Sequence, residues 1–134
     1  MIQISPITPE CLDYLPAQAV KYLEAAANDG CGDLTAEDAI LQAKDGLAEI
    51  YLIHDVQLVG ACCVMYGNGT QGKILDVALM GGDNVLKYRK ELRDYFIDLA
   101  RKNGCKKLCV IGREGWIKVF PDLQDMGTVY MMDV

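Results

Sequence analysis

The sequence has no long apolar run, and its charge is predominantly acidic. Among its 134 residues, no apolar stretch approaches the roughly 20 residues that a helix needs to cross a bilayer, so we expect no membrane partner. The formal net charge of −6 disfavours a nucleic-acid partner, because binding to a phosphate backbone depends on clustered Lys and Arg. The first residues lack the basic region and apolar stretch of a secretion signal, so we expect a cytoplasmic protein.

The sequence also lacks the paired cysteine spacing of a zinc site. Cys62 and Cys63 are adjacent, so in a strand they would point to opposite faces. Cys31 lies beside a glycine, and the other cysteines fall within predicted helices or strands: Cys11, Cys62, Cys63, Cys105 and Cys109. We therefore expect six free thiols, packed as small core residues in a reducing compartment, and no metal site.

What is present indicates one compact domain over residues 1–134. The chain is 51% hydrophobic and 24% charged, and no linker, repeat or low-complexity tract interrupts it. Its charge is uneven, since the first fifty residues are acidic and residues 87–118 hold ten of the thirteen basic residues. A solvated helix face would account for much of this basic segment.

Hydrophobic periodicity predicts the element order β, α, α, β, β, β, α, β, α, β. Thr8 and Pro9 are typical of a helix start, Pro16 would bend that helix, and Thr35 begins a sequence that resembles a capping box. Strand patterns follow at residues 49–54 and 58–66, joined by a tight turn. We interpret His54, beside this turn, as a solvated residue rather than a catalyst.

Residues 73–115 predict a βαβ unit: a strand at 74–80, a turn at Gly81-Gly82-Asp83-Asn84, a helix at about 85–103 and a strand at 107–111. A helix that starts after a strand presents unpaired N–H groups and the positive end of its dipole, which favour a phosphate. Five helix residues share one face and should pack on the sheet rather than bind a ligand: Tyr88, Leu92, Tyr95, Phe96 and Leu99.

This element order, with the turn after the fourth strand and the segment Gly112 to Phe120 followed by Leu123 as a closing helix, resembles the GNAT superfamily of acetyl-CoA-dependent N-acetyltransferases. The resemblance covers nearly the whole chain. It implies an α/β (α+β) fold with a mixed, mostly antiparallel sheet flanked by helices, whose parallel strands splay beside the Gly81-Gly82 turn. The compact ending and basic helix start also resemble small GNAT-like proteins of tailed bacteriophages, including virion proteins.

The resemblance implies acetyl transfer from acetyl-CoA to an amine on a small molecule or a protein. Asp76 on the fourth strand would be the base, although an edge contact, a strand-end cap or a salt bridge are structural alternatives. Tyr130 on the last strand would replace the family's proton-donating tyrosine, because Phe120 or the neighbouring Pro121 occupies the expected position and neither can donate a proton. The residues implied in cofactor binding lie at or after the end of the fourth strand: Met80, Gly81, Gly82, Val85, Lys87, Tyr88 and Arg89.

The turn departs from the family pattern Q/R-x-x-G-x-G/A, whose glycines let backbone N–H groups approach the CoA pyrophosphate. Asp83 stands where phosphates would lie; it would repel them unless it serves as the helix N-cap or the basic residues Lys87, Arg89 and Lys90 compensate. The alternative is therefore a catalytically degenerate structural or binding protein. It would be a bacteriophage virion component with phage structural proteins as partners, located in the host cytoplasm or the virion.

Overall fold

A computed structural model of the protein describes residues 2–29, 34–111, 124–125 and 129–134. The strands are β1 (Gln3–Ile7), β2 (Ala48–Asp55), β3 (Gln57–Gly69), β4 (Gly72–Gly82), β5 (Lys107–Ile111), β6 (Gln124–Asp125) and β7 (Val129–Asp133). The helices are α1 (Ala17–Asp29), α2 (Ala36–Lys44) and α3 (Arg89–Lys102), with short 3-10 segments at Pro9–Tyr14 and Val85–Tyr88.

The described strands form one seven-stranded sheet in the order β1-β2-β3-β4-β5-β7-β6. Every neighbouring pair is antiparallel except β4 and β5, which are parallel and are connected through α3. A parallel pair needs such a crossover, whereas the antiparallel pairs β2–β3 and β3–β4 need only tight turns. The predicted mixed, mostly antiparallel sheet flanked by helices is confirmed.

Two apolar cores lie on the two faces of the sheet. One core packs beneath α3 and includes Leu92 and Phe96, as the helical periodicity predicted. The other packs beneath α1 and α2 and is rich in alanine, which lets these helices lie close to the strands. Cys62 belongs to the first core and Cys63 to the second, because successive strand residues point to opposite faces.

The cysteines in the described residues carry free thiols. Cys62, Cys63, Cys105 and Cys109 are buried, as expected for small core residues. The expectation was wrong for Cys11, whose side chain is exposed in the 3-10 segment Pro9–Tyr14. Cys31 lies outside the described residues.

Several local boundaries differ from the predicted ones near the N-terminus. The sequence predicts a first strand that ends at Ser5-Pro6, whereas β1 continues through Pro6 to Ile7; this is tolerated because β1 is an edge strand whose proline need not donate to a partner. The helix pattern before residue 29 divides at Pro16 into the 3-10 segment and α1. Thr8 makes no side-chain capping bond, whereas the Thr35 hydroxyl accepts a hydrogen bond from the Asp38 N–H at 3.0 Å, as the capping box predicted.

The largest difference lies at the end of β4. Gly81 and Gly82 do not form a turn; they are the last residues of β4 and pair with Ala61 and Gly60 of β3. The turn is confined to residues 83–84, and the following helix starts with the 3-10 segment Val85–Tyr88 before α3 proper begins at Arg89. The predicted helix start at Val85 was therefore four residues too early for regular α-helix.

The predicted closing helix, Gly112 to Phe120 with Leu123 after it, lies outside the described residues, as does Thr128, where the sequence predicts the last strand to begin. The last strand is present as β7, and β6 pairs with it as a two-residue strand that the sequence did not predict. No helix within the described ranges combines the length and the apolar character required to span a membrane.

Candidate functional site

The candidate site is the part of β4 beyond its pairing with β5, residues 78–82, together with the start of α3; we call this region the opening between β4 and β5. The two strands pair only from Ile74 and Lys107 to Val77 and Val110, although β4 continues to Gly82. Within the described part of the chain, no strand pairs with this edge of β4 from residue 78 to 82. A strand edge without a partner strand is a place where an extended ligand that carries amides can form backbone hydrogen bonds. Pairing of β4 with β5 thus ends five residues before the end of β4, and the predicted splay of the two strands stays a prediction.

A β-bulge marks the point at which the strands separate. Cys63 and Val64 of β3 are opposite Leu79 and Val77 of β4, so Ala78 is an extra residue without a counterpart. The bulge reverses the alternation of side chains: Val77 packs in the core under α3, but Leu79 packs in the core under α1 and α2. Such an insertion bends the strand and increases its local twist.

Asp76 precedes the bulge and lies in the middle of the sheet. Its strand neighbours are Met65 of β3 and Cys109 of β5, so it is neither an edge contact nor a strand-end cap. Burial raises the pKa of this half-buried carboxyl group above its usual value, and the hydrogen-bonded Cys109 thiol partly offsets that rise. Burial, together with the charge of Asp76 and the hydrogen bond to it, raises the pKa of Cys109 to about 12. At neutral pH the thiol therefore remains protonated and is a donor to Asp76.

Gly81 and Gly82 are required by packing within the protein. A Cβ atom on Gly81 would collide with the carbonyl oxygen of Tyr22 in α1. A Cβ atom on Gly82 would lie 2.5 Å from the carbonyl oxygen of Val59 and 2.9 Å from Cα of Gly60. Both distances are shorter than real Cβ contacts, so a side chain at either position would displace α1 or β3. Loss of ligand binding in a Gly82→Val variant would consequently not demonstrate a phosphate contact.

The turn after β4 is fixed by Asp83 and Asn84. The Asp83 carboxylate accepts a hydrogen bond of 2.7 Å from the hydroxyl of Tyr22, and its N–H donates to the Val59 carbonyl at 2.9 Å. Asn84 adopts φ 56°, a left-handed conformation that asparagine tolerates better than most residues. Asp83 is therefore directed towards α1, and the predicted N-cap role is wrong: Tyr88 is the N-cap residue of α3 and makes no side-chain capping bond.

The 3-10 segment Val85–Tyr88 carries the predicted basic and aromatic residues to the start of α3. Tyr88 donates a hydrogen bond of 2.6 Å to the carboxylate of Asp55 at the tip of the β2–β3 hairpin. The exposed Lys87 places its Nζ atom 5.5 Å from the Tyr88 ring centroid, and Arg89 is exposed in the first turn of α3. Val85, another predicted contact, lies in the same 3-10 segment. The sequence-predicted residues from Gly82 to Arg89 thus follow one another directly after the end of β4, and their part in cofactor binding stays a prediction.

Two other predicted site residues lie differently. Met80 is only 4% exposed and packs in the core under α3, so its backbone rather than its side chain faces the opening. The backbone of Tyr130 pairs with Val110, one position along β5 from Cys109, the strand neighbour of Asp76. The backbone register does not place Asp76 and Tyr130 in the same cross-strand row.

Three residues near the site had no signal in the sequence analysis: Tyr22, Asp55 and Cys109. Tyr22 is separated from Asp83 by 61 positions, and Asp55 from Tyr88 by 33, so no local pattern connects them. His54 lies near the end of β2, opposite Gln3 of β1, and takes no part in this site. The described residues contain no cluster of three or more His, Cys, Asp or Glu suited to a metal ion.

Comparisons with known proteins identify the fold. No protein-family model matches the sequence, and no curated protein matches it. Among solved structures, an N-acetyltransferase from Staphylococcus aureus Mu50 is similar with a TM-score of 0.63 and 13% identity, covering 99% of this chain and 97% of that one. An acetyltransferase from Thermus thermophilus has a TM-score of 0.59 and 19% identity, with coverages of 100% and 97%.

A predicted acetyltransferase from Clostridium acetobutylicum, whose structure includes acetyl-CoA, is similar over 90% of this chain and 87% of that one. Its TM-score is 0.63 at 9% identity. At these identities the likeness concerns the fold, and it agrees with the parallel β4–β5 pair, the crossover helix and the order of the strands. This chain therefore has the fold of the GNAT acetyltransferases.

Proposed function

We propose that this protein binds acetyl-CoA between β4 and β5 and transfers the acetyl group to an amine. The observation that carries the proposal is the position of Asp76. It is a half-buried carboxylate with a raised pKa, two residues before the bulge at which the β4 edge becomes available. This combination would supply a base beside a binding edge.

The β4 edge from residue 78 to 82 would hold the extended, amide-containing part of acetyl-CoA through backbone hydrogen bonds. The start of α3, with its N–H groups and dipole, would attract the phosphates, assisted by Lys87 and Arg89. When bound, acetyl-CoA supplies a thioester carbonyl that an amine can attack. The acetyl-CoA present in the similar Clostridium acetobutylicum structure supports this choice of ligand.

Asp76 would accept the proton that the attacking ammonium must lose. Its raised pKa makes it a stronger base than an exposed aspartate, and the Cys109 thiol orients its carboxylate through a hydrogen bond. Tyr130 remains our proposed proton donor because it belongs to the β7 strand beside β5. The acceptor amine belongs to a small molecule or a protein, and we propose a cytoplasmic location.

Asp76→Asn tests the assignment of the base. It should leave acetyl-CoA affinity nearly unchanged and reduce kcat by about 10²–10⁴-fold, because the amide cannot accept the proton. Calorimetry with acetyl-CoA would measure affinity, and release of free thiol over a panel of amines would measure turnover. Asp94→Asn, on the exposed face of α3, is the matched control and should retain both.

The pH profile provides a second measurement of the same role. Asp76 must be ionised to act, so kcat/KM should fall as the pH is lowered through its folded-state pKa. Because that pKa is raised, the acid limb should lie above 3.8, the ordinary pKa of an aspartate. An acid limb at or below that value, or an unchanged kcat in Asp76→Asn, would exclude Asp76 as the base.

A second candidate function is a GNAT-fold binding or structural protein that has lost catalysis. It is supported by the acidic Asp83 in the turn and by the use of Gly81 and Gly82 for internal packing instead of a glycine-rich phosphate loop. A bacteriophage virion component, with phage structural proteins as partners, is the finer form of this candidate, and the basic start of α3 supports it. Rapid thiol release with any amine would exclude it, whereas no heat with millimolar acetyl-CoA would exclude the enzyme.

A further inference from the structure

The segment between β4 and α3 is held from two sides by tyrosine–aspartate hydrogen bonds. On one side, Tyr22 of α1 donates to Asp83 at 2.7 Å. On the other side, Tyr88 donates to Asp55 of the β2–β3 hairpin at 2.6 Å. These bonds connect the two ends of residues 83–88 to different elements, and that segment would lie beside the phosphates under the proposed function.

The first pair accompanies a close backbone contact. Tyr22 is only 7% exposed, and its carbonyl oxygen lies so near Gly81 that no side chain fits there. The N–H of Asp83 donates to the Val59 carbonyl at 2.9 Å, so the turn is also bonded to β3. Asp83 therefore has a fixed direction, towards α1, although its position in the turn is exposed.

The second pair depends on an unusually tight hairpin. Asp55 and Gln57 are direct strand partners, and Val56 between them has φ 67° and is fully exposed. A β-branched residue in this conformation is strained, and such strain persists only where the surroundings determine the backbone strongly. The hairpin thus presents the Asp55 carboxylate at a defined position for the Tyr88 hydroxyl.

We propose that Tyr22, Asp83, Tyr88 and Asp55 are positioning residues that hold the segment 83–88 in the conformation that receives the phosphates of acetyl-CoA. This inference rests on the proposed function. In glycine-rich phosphate loops, the missing side chains let the backbone approach the ligand. Here Gly81 and Gly82 instead permit close packing against α1 and β3. The two tyrosine–aspartate pairs would order the segment 83–88 before the ligand binds. The carboxylates of Asp83 and Asp55 would thus fix the conformation of the segment, and each accepts a hydrogen bond from a tyrosine hydroxyl.

Two aspartate variants separate positioning from electrostatics. Asp83→Ala and Asp55→Ala each remove a negative charge near the proposed anion site, so electrostatics alone predicts tighter binding of acetyl-CoA. Positioning predicts the opposite, with affinity weakened about tenfold by each variant, because a hydrogen bond to a charged group is lost. Glu91→Ala, which removes a negative charge from the exposed first turn of α3, is the matched control and should not weaken binding.

The tyrosine variants test whether each pair acts as a unit. Tyr22→Phe and Tyr88→Phe should weaken acetyl-CoA binding as much as Asp83→Ala and Asp55→Ala do. When both members of a pair are replaced, the affinity should fall no further than in the single variants. Asp55→Asn, which retains a hydrogen-bond acceptor, should restore part of the affinity. Tyr14→Phe removes a hydroxyl from a tyrosine that is 83% exposed and should have no effect.

Amide hydrogen exchange without ligand makes the test independent of the proposed function. Exchange at residues 84–90 should become about tenfold faster in Tyr22→Phe and Tyr88→Phe, while the central residues of β3 keep their wild-type rates. If wild-type protein binds no acetyl-CoA, the proposed function is wrong and exchange alone decides whether the pairs order the segment. Unchanged exchange overturns the inference, as does unchanged or tighter acetyl-CoA binding by Asp55→Ala and Asp83→Ala.

Discussion

Gly81 lies where α1 and β4 approach closely, and its missing side chain permits that approach. The Tyr22 carbonyl oxygen occupies the space that a Cβ atom would need. In the sequence, Gly81-Gly82 has the appearance of a flexible turn, because glycine is common in turns. In the folded protein the same residues are strand residues packed between α1 and β3.

We expect Gly81→Ala to lower the free energy of unfolding by about 1–3 kcal/mol, since the added methyl group meets backbone atoms and forces α1 or β4 to shift. Gly67→Ala is the matched control, because a Cβ atom there meets nothing closer than Asp76 Oδ2 at 3.8 Å. Its effect should stay within about 1 kcal/mol. Urea denaturation of both variants measures the difference, and equal stabilities would contradict the packing argument.

At the scale of elements, the helix starts show which local signals are sufficient by themselves. Thr35 and Asp38 are three residues apart, so the capping bond at the start of α2 forms within one turn and needs no distant partner. α3 begins differently, because its N-cap residue Tyr88 donates a hydrogen bond to Asp55 and ends the 3-10 segment Val85–Tyr88. The start of α3 at Arg89, which helical periodicity did not predict, thus coincides with the hydrogen bond between Tyr88 and Asp55 of another element.

Thr35→Ala should destabilise the protein by about 1 kcal/mol, because the N–H of Asp38 loses its acceptor. Thr8→Ala is the control at another segment start: Thr8 precedes a 3-10 segment but makes no side-chain bond, so its substitution should change stability by less than about 0.5 kcal/mol. Thermal unfolding of the two variants gives the comparison. A larger loss in Thr8→Ala would show that capping does not explain either position.

At the scale of the whole molecule, charge is divided between the two sides of the sheet. The acidic first fifty residues supply α1 and α2, which pack on one face, while α3, on the other face, carries five basic and three acidic residues. The protein therefore has a net charge of −6 yet presents basic residues at the start of α3. Local charge, rather than net charge, would act on a bound phosphate within a Debye length.

Replacing Lys87 and Arg89 together with Gln should weaken acetyl-CoA binding and make it less dependent on salt, because two cations near the phosphates are removed. Calorimetry at several salt concentrations measures both effects. The control replaces Lys21 on α1 and Arg101 in the last turn of α3, which changes the total charge equally. Equal salt dependence in the two double variants would show that net charge alone governs binding.

The sequence by itself determined the order of the elements and the faces that they bury. Strand alternation separates Cys62 from Cys63, and helical spacing places Leu92 and Phe96 in one core, because both properties follow from the geometry of a single element. The position of Asp76 on β4 followed from the same local reasoning. The resemblance to the GNAT fold drew on this order, and the sheet confirms the strands that the sequence predicted.

Tertiary structure alone decided what the residues around the opening contact. The Tyr22–Asp83 and Tyr88–Asp55 bonds join positions 61 and 33 residues apart, and the Asp76–Cys109 contact depends on the parallel register of β4 and β5. The roles of Gly81 and Gly82 likewise depend on α1 and β3. Local propensity and periodicity describe each segment separately, whereas these contacts arise only when distant segments pack together.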